Sequence, residues 1–332
     1  SRASSLGLLA LCAALAQPGL ARAGHPLRVL RATSAAHAAQ HPSAQIKPHA
    51  TPIRMAITVD DLPGGGPEPA GYTHARMVQD IVAALQKHHV QYAMGFVVGS
   101  MLDGHPDRQA AIDAWLAAGY QVGSHTYAHS ALSEVGLRTY FADIRADEPL
   151  LRKLERRAHQ HERFFRAPYL DEGASDAERR GLARYLSAHH YHLARASLDF
   201  GDWAWADAYN RCEERGDTAS QALLSETYVK NAVAYLDWSL AASRQVLGRA
   251  APQVLLLHAN LATAKNLDAV LTQYQRAGVR FIPLAEALGD NVYNASYDIS
   301  GSSVFVQASE KLHRSRPAAA VLPSTLLDAM CQ

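Results

Sequence analysis

The chain has 332 residues, 48% of them hydrophobic and 19% charged, a balance that suits an ordinary folded protein rather than a disordered one. Lys and Arg total 32 against 31 acidic residues, so no basic excess exists to draw in a nucleic acid or an anionic membrane. The three cysteines, Cys12, Cys212 and Cys331, are too few and too scattered for a Cys-type zinc site, which leaves His and carboxylates to hold any metal.

At the N-terminus, Arg2, an apolar run from Leu6 to Ala16, the break Gln17-Pro18-Gly19 and Ala21-Arg22-Ala23 read as a signal peptide, residues 1–23, of a secreted or periplasmic protein. The run is too short to span a bilayer, and nothing downstream approaches the roughly 20 apolar residues of a membrane helix. Cleavage removes Cys12 and leaves Cys212 and Cys331, whose pairing in an oxidising compartment stays open. Residues 24–52 are rich in Ala, His, Pro, Gln and Ser without a sustained period and read as a flexible linker.

From Ile53 onward, strand-like apolar runs alternate with amphipathic helical ones. Strands are predicted at Met55–Val59, Ala93–Val98, Tyr120–Gly123, Phe164–Arg166, His192–Ala194, Val254–Leu257 and Arg280–Pro283. Helices are predicted at Ala75–His88, Ala110–Ala118, Thr139–Arg157, Ala177–Ala188, Leu223–Leu247 and Leu267–Ala277. Seven strand signals separated by helices predict a mostly parallel α/β sheet over 53–290, either an incomplete barrel or an open, doubly wound sheet. The tail, 291–332, carries no assignable pattern.

The reactive residues fall at the C-terminal ends of these strands: Asp60 and Asp61, then His125 and His129, Arg166, Asp199 and His258. Parallel α/β folds gather their catalytic groups on that face. If His125-Thr-Tyr-Ala-His129 begins a helix, its i, i+4 spacing puts both imidazoles on one side. Alone the pair says little, since 17 His in 332 residues give roughly one such pair by chance, and His37 and His41 form another. Asp60-Asp61 changes the balance, because adjacent carboxylates repel unless a cation or another partner lies beside them. One carboxylate with two imidazoles is a three-ligand set for catalytic zinc. The Leu62-Pro63-Gly64-Gly65-Gly66 turn that follows permits close approach of backbone to a ligand.

Thr58-Val59-Asp60-Asp61, His125-Thr-Tyr-Ala-His129, Arg166-Ala-Pro168-Tyr169, Asp199-Phe-Gly-Asp202-Trp203 and Leu256-Leu-His258 resemble, in order, the five motifs of the polysaccharide deacetylase family, the carbohydrate esterases (family 4) that share the NodB homology domain. The resemblance covers about Ile53 to Leu288. It implies a distorted (β/α) barrel with fewer than eight strands, in which Asp61, His125 and His129 bind Zn²⁺ or another divalent transition metal. By the same resemblance Asp60 is the general base, Arg166 keeps it ionised, and the backbone N–H of Tyr169 helps to stabilise the oxyanion. His258 would protonate the leaving amine with Asp199 keeping it charged, while Pro168, Trp203 and Leu256 would line the substrate site.

Plainer roles remain open for several of these residues. Arg166 and Asp199 also suit an ion pair at the barrel rim, Trp203 suits core packing, and His258, closing an apolar run, suits a buried core histidine. Val59 stands where the family usually has Phe, and the segment between Asp199 and His258 is longer than is common there. The implied partner is an acetylated glycan: amide hydrolysis on an N-acetylated polymer leads, followed by O-deacetylation of xylan-type polymers and by a catalytically silent glycan-binding protein.

Overall fold

The computed structural model describes residues 51–332; the expected signal peptide, and the expected linker up to residue 50, lie outside the described residues. In chain order the elements are β1 (Ile53–Leu62), α1 (His74–Lys87), β2 (Ala93–Val97), α2 (Pro106–Ala117), β3 (Gln121–Ser124), α3 (Leu132–Arg157) and β4 (Arg163–Phe165). There follow α4 (Asp176–Ala188), β5 (Tyr191–Leu193), β6 (Leu198–Asp199), α5 (Ala206–Glu214), α6 (Thr218–Leu247), β7 (Gln253–His258), α7 (Leu261–Arg276) and β8 (Val279–Phe281). Local chemistry sets several boundaries. Thr73, Asp217 and Asn260 cap α1, α6 and α7 by accepting backbone N–H bonds, and Ser175 with Glu178 forms a reciprocal capping box on α4.

Every strand pairing is parallel, and the sheet order is β5-β4-β3-β2-β1-β7-β6, with β8 on the first residues of β1. The expected incomplete barrel is what the chain forms, with one strand more than the seven sequence signals. The extra strand, β6, is two residues long, too short for periodicity to reveal, and it carries Asp199. Between β5 and β6 the chain crosses from one edge of the curled sheet to the other: Ala194 N–H donates to Phe165 O on the β4 side, and Ser197 N–H to Val254 O on the β7 side.

Alternation along the strands sorts the side chains into two cores. Met55, Ile57 and Val59 of β1 join Leu255 and Leu257 of β7 in the layer against the surrounding helices. Ala56, Phe96, Phe164 and Val254 face the other way. Continuing that face along its strands places Asp60, Arg166 and His258 in the barrel interior, at the C-terminal strand ends.

The tail without sequence pattern completes this inner core. Short helices α8 (Leu284–Leu288), α9 (Asn291–Asn294), α10 (Val304–Lys311) and α11 (Ser324–Ala329) follow β8. Tyr293, Tyr297, Val304 and Phe305 pack into the inner cluster. Truncating a core phenylalanine such as Phe305 costs about 3–5 kcal/mol. Cys212 and Cys331 are joined in a disulfide, which ties the end of the chain to α5. Among the described residues no helix is long and apolar enough to cross a membrane.

Candidate metal and catalytic site

Asp60 and Asp61 end the central strand and point to different partners. Asp60, 2% exposed, takes a bond from Arg166 Nη1 to its Oδ1 at 3.0 Å. Arg166 is itself fully buried and braced by donating to Thr58 Oγ1 at 2.8 Å and Ala194 O at 2.9 Å. It therefore pairs with Asp60, and the rim ion pair with Asp199 does not form.

Asp61 turns toward the histidines, in a left-handed conformation at φ 63°. Its Oδ1 lies 3.6 Å from His125 Nε2 and 3.2 Å from His129 Nε2. That buried oxygen has no hydrogen-bond partner. The three ligand atoms all lie within 4.8 Å of one another, so Asp61, His125 and His129 form a group that can hold a metal ion. His125 Nδ1 sits 2.9 Å from Arg166 O; a carbonyl only accepts, so Nδ1 carries the proton and Nε2 presents its lone pair to Asp61. His129 Nδ1 faces Tyr169 Oη at 3.2 Å, which leaves its Nε2 for the same place. An orphaned carboxylate oxygen facing two imidazole nitrogens fits a borderline-soft divalent cation. Burial pushes the Asp61 carboxyl up, but His129, His258 and His125 outweigh it and hold it well below the usual carboxylate range.

The helical premise for His125 and His129 is not met. Residues 125–131 are irregular, α3 starts at Leu132, and Thr126 and His129 have φ of 62° and 56°. A loop rather than a helix face brings the rings together, 4.9 Å between centroids. The loop is held from below by α3: Ala128 N–H donates to Asp143 Oδ1 at 2.8 Å, and Ser124 Oγ donates to Asp147 Oδ2 at 2.7 Å.

His258 is neither in the core nor held by Asp199. Its side chain is 19% exposed, and the carboxylate on it is Asp202, with Oδ1 2.7 Å from Nδ1 and Oδ2 taking the His258 backbone N–H at 2.7 Å. Thr263 Oγ1 fixes the same Oδ2 at 2.8 Å. Burial pushes the imidazole down, yet the charge and hydrogen bond of Asp202, then Asp61 and Asp60, raise it to about 10. Asp199 lines the cleft, accepts from Gly201 N–H at 2.9 Å, and is pushed up by burial. The carboxylate in contact with His258 is thus Asp202, where the resemblance implies Asp199. The sequence signal for Asp202 was its place in the same motif, directly before Trp203; a left-handed Gly201 swings it under His258.

These groups share one cleft of about 470 Å³, lined by Asp60, Asp61, His125, His129, Asp199, Leu256 and His258 on its floor, with Tyr169 and Trp203 at its edges. Trp203 is 56% exposed and so is not core packing, whereas Trp205 is fully buried. Tyr169 has φ 58° and is 65% exposed, while Pro168 beside it is buried and does not line the cleft.

No curated protein matches the chain. In structure it is similar to the chitin deacetylase from the fungal pathogen Colletotrichum lindemuthianum, at 23% identity and a TM-score of 0.51, covering 74% of this chain and 91% of that one. Weaker likenesses are to peptidoglycan deacetylase from Bacillus subtilis (19% identity, TM-score 0.45, 72% and 91% covered) and to a family 4 carbohydrate esterase pseudoenzyme from Bacillus anthracis (15%, 0.49, 72% and 66%). The family model described as polysaccharide deacetylase matches residues 47–187, the stretch that holds Asp60, Asp61, His125, His129 and Arg166. The family resemblance carried by the motifs therefore stands over residues 47–187, the stretch similar to the polysaccharide deacetylase family model.

Proposed function

We propose that the protein is a zinc-dependent hydrolase that removes N-acetyl groups from a carbohydrate polymer. The observation that carries this reading is a partnerless, buried Asp61 oxygen facing two imidazole nitrogens, with a second carboxylate and a third, charged imidazole lining the same cleft. Zinc held by Asp61, His125 and His129 would supply a Lewis acid that polarises the acetyl carbonyl and lowers the pKa of a water toward about 7. Asp60 accepts the water proton; Arg166 on its Oδ1 orients it and leaves Oδ2 for that proton. The Tyr169 backbone N–H is the protein donor for the oxyanion. His258, charged through Asp202, delivers a proton to the amine nitrogen, which is a poor leaving group without one.

A disulfide in the folded chain supports an oxidising compartment, and with the N-terminal sequence it supports secretion or periplasmic residence.

The test is acetate release from N-acetylglucosamine oligomers and from acetylated xylan by the zinc-loaded protein, with Asp60→Asn and His125→Ala as controls checked for folding. Release from the amide substrate that both variants abolish is the expected result. Release from xylan alone would move the protein to ester hydrolysis.

A further inference from the structure

The chain as a whole is balanced in charge, 32 Lys and Arg against 31 acids, but one segment is not. Residues 176–195 carry four arginines and three histidines against two carboxylates, Asp176 and Glu178. Glu178 is committed to the capping box, where its Oε2 accepts from Ser175 N–H and Oγ. Asp176 is left as the counter-charge for the arginines of α4.

This segment walls a cavity of about 500 Å³ at β5, an edge strand of the sheet, and the cavity shares no residue with the catalytic cleft. Arg179, Arg180, Arg195, His190 and His192 line it, and Glu172 is the one carboxylate among the described lining residues. That carboxylate is spent on Arg195, which donates to it through Nε at 2.7 Å and through Nη2. Arg195 Nη1 donates to Tyr293 O and Ala295 O, both at 2.8 Å, so this guanidinium is locked in place. Arg179 is held by Asp176 and by Gly173 O at 3.1 Å, yet its Nε is buried without a hydrogen-bond partner. An acceptor inside the cavity would remove that cost. Arg180 reaches Asp176 only at 3.5 Å and is 63% exposed, so most of its donors are free.

Guanidinium and imidazole donors around a cavity whose single carboxylate is already neutralised fit an oxyanion. The donors come from α4 on one side and from His190 and His192 at β5 on the other. A tetrahedral anion can offer an oxygen to each of them, whereas a planar carboxylate has two oxygens to share. We propose that this cavity is a phosphate-binding site, separate from the catalytic cleft and independent of any metal held there.

Calorimetric titration of inorganic phosphate, glucose 6-phosphate, glucose and acetate into the full chain tests it, with chelator present so that no metal ion takes up the anion. Both phosphates should bind with a Kd of about 1 mM or below, more weakly as salt rises, and glucose and acetate should not bind measurably. Arg180→Ala, at an exposed side chain, and Arg179→Gln should each weaken phosphate binding by about tenfold. Acetate release by the zinc-loaded chain should be the same in both variants as in the unmutated protein, so a failure here and a failure of the deacetylase reading are told apart. Tighter binding of the ester than of the free ion would make a phosphorylated molecule the ligand, and equal binding would make it the ion itself; either keeps the site. Binding of neither phosphate, acetate bound as tightly as phosphate, or phosphate binding that both variants leave unchanged overturns the proposal.

Discussion

At the metal end of the cleft the functional side chains lean on several neighbouring segments, whereas at the acid end His258 depends on one carboxylate delivered by a turn. His125 rests on the carbonyl of Arg166 just beyond β4, its loop on Asp143, the end of β3 on Asp147, and Asp60 on a fully buried Arg166. His258 has Asp202, which a left-handed glycine and Thr263 hold in place. The first arrangement follows from strand order and lies inside the segment that matches the family; the second lies outside it. The metal end should therefore fail when a ligand is lost, and the acid end should fail by a change in proton affinity.

The largest expected effect is at the metal end. His125→Ala should lower acetate release by roughly a thousandfold or more, since such groups act as a unit, and should remove bound metal as measured by elemental analysis. Full metal occupancy in that variant would break the assignment of His125 as a ligand.

Next comes the acid end. Asp202→Asn removes the charge that raises His258, so its pKa must fall. As His258 works in its protonated form, the alkaline limb of the pH–rate profile should move to lower pH, with kcat reduced on the order of 10²-fold or more. Asp199→Asn should leave that limb in place. If Asp199→Asn moved it and Asp202→Asn did not, the pairing described here would be wrong.

A smaller effect is expected one step from the metal. Asp143→Ala takes away the acceptor for Ala128 N–H and loosens the loop between the two histidine ligands. Metal affinity should fall by about 10–100-fold, read by competition with a chelator, while metal-saturated kcat changes less.

The metal end was the more legible in the sequence, for a physical reason. Asp60 and Asp61 close an apolar strand whose alternation is visible, and His125 and His129 follow another, so strand ends alone bring them together. Even there the mechanism of assembly was hidden. The i, i+4 spacing suggested a helix, but Thr126 and His129 take left-handed backbone, a choice that loop contacts impose and no residue pattern announces. The resemblance points to Asp199 as the partner of His258, and the left-handed turn at Gly201 that brings Asp202 there instead is not announced by any residue pattern. The tail was opaque because its helices are short and its apolar residues, such as Tyr293 and Phe305, serve a core built by distant strands. Such residues show no period of their own.

The mildest change probes the disulfide that ties the end of the chain to α5. Cys331→Ser opens a link between residues 119 apart in sequence, which in general costs about 2–4 kcal/mol of stability. The melting temperature should fall by roughly 5 °C, and reducing agent should lower that of the unmutated protein to the same level. Arg211 still holds Leu327 O and Met330 O, so the tail loosens without leaving. Acetate release should then stay within about twofold. A larger loss would instead mean that Leu322, packed on Gly201, steadies the turn that carries Asp202, and the acid end would owe its geometry to the tail.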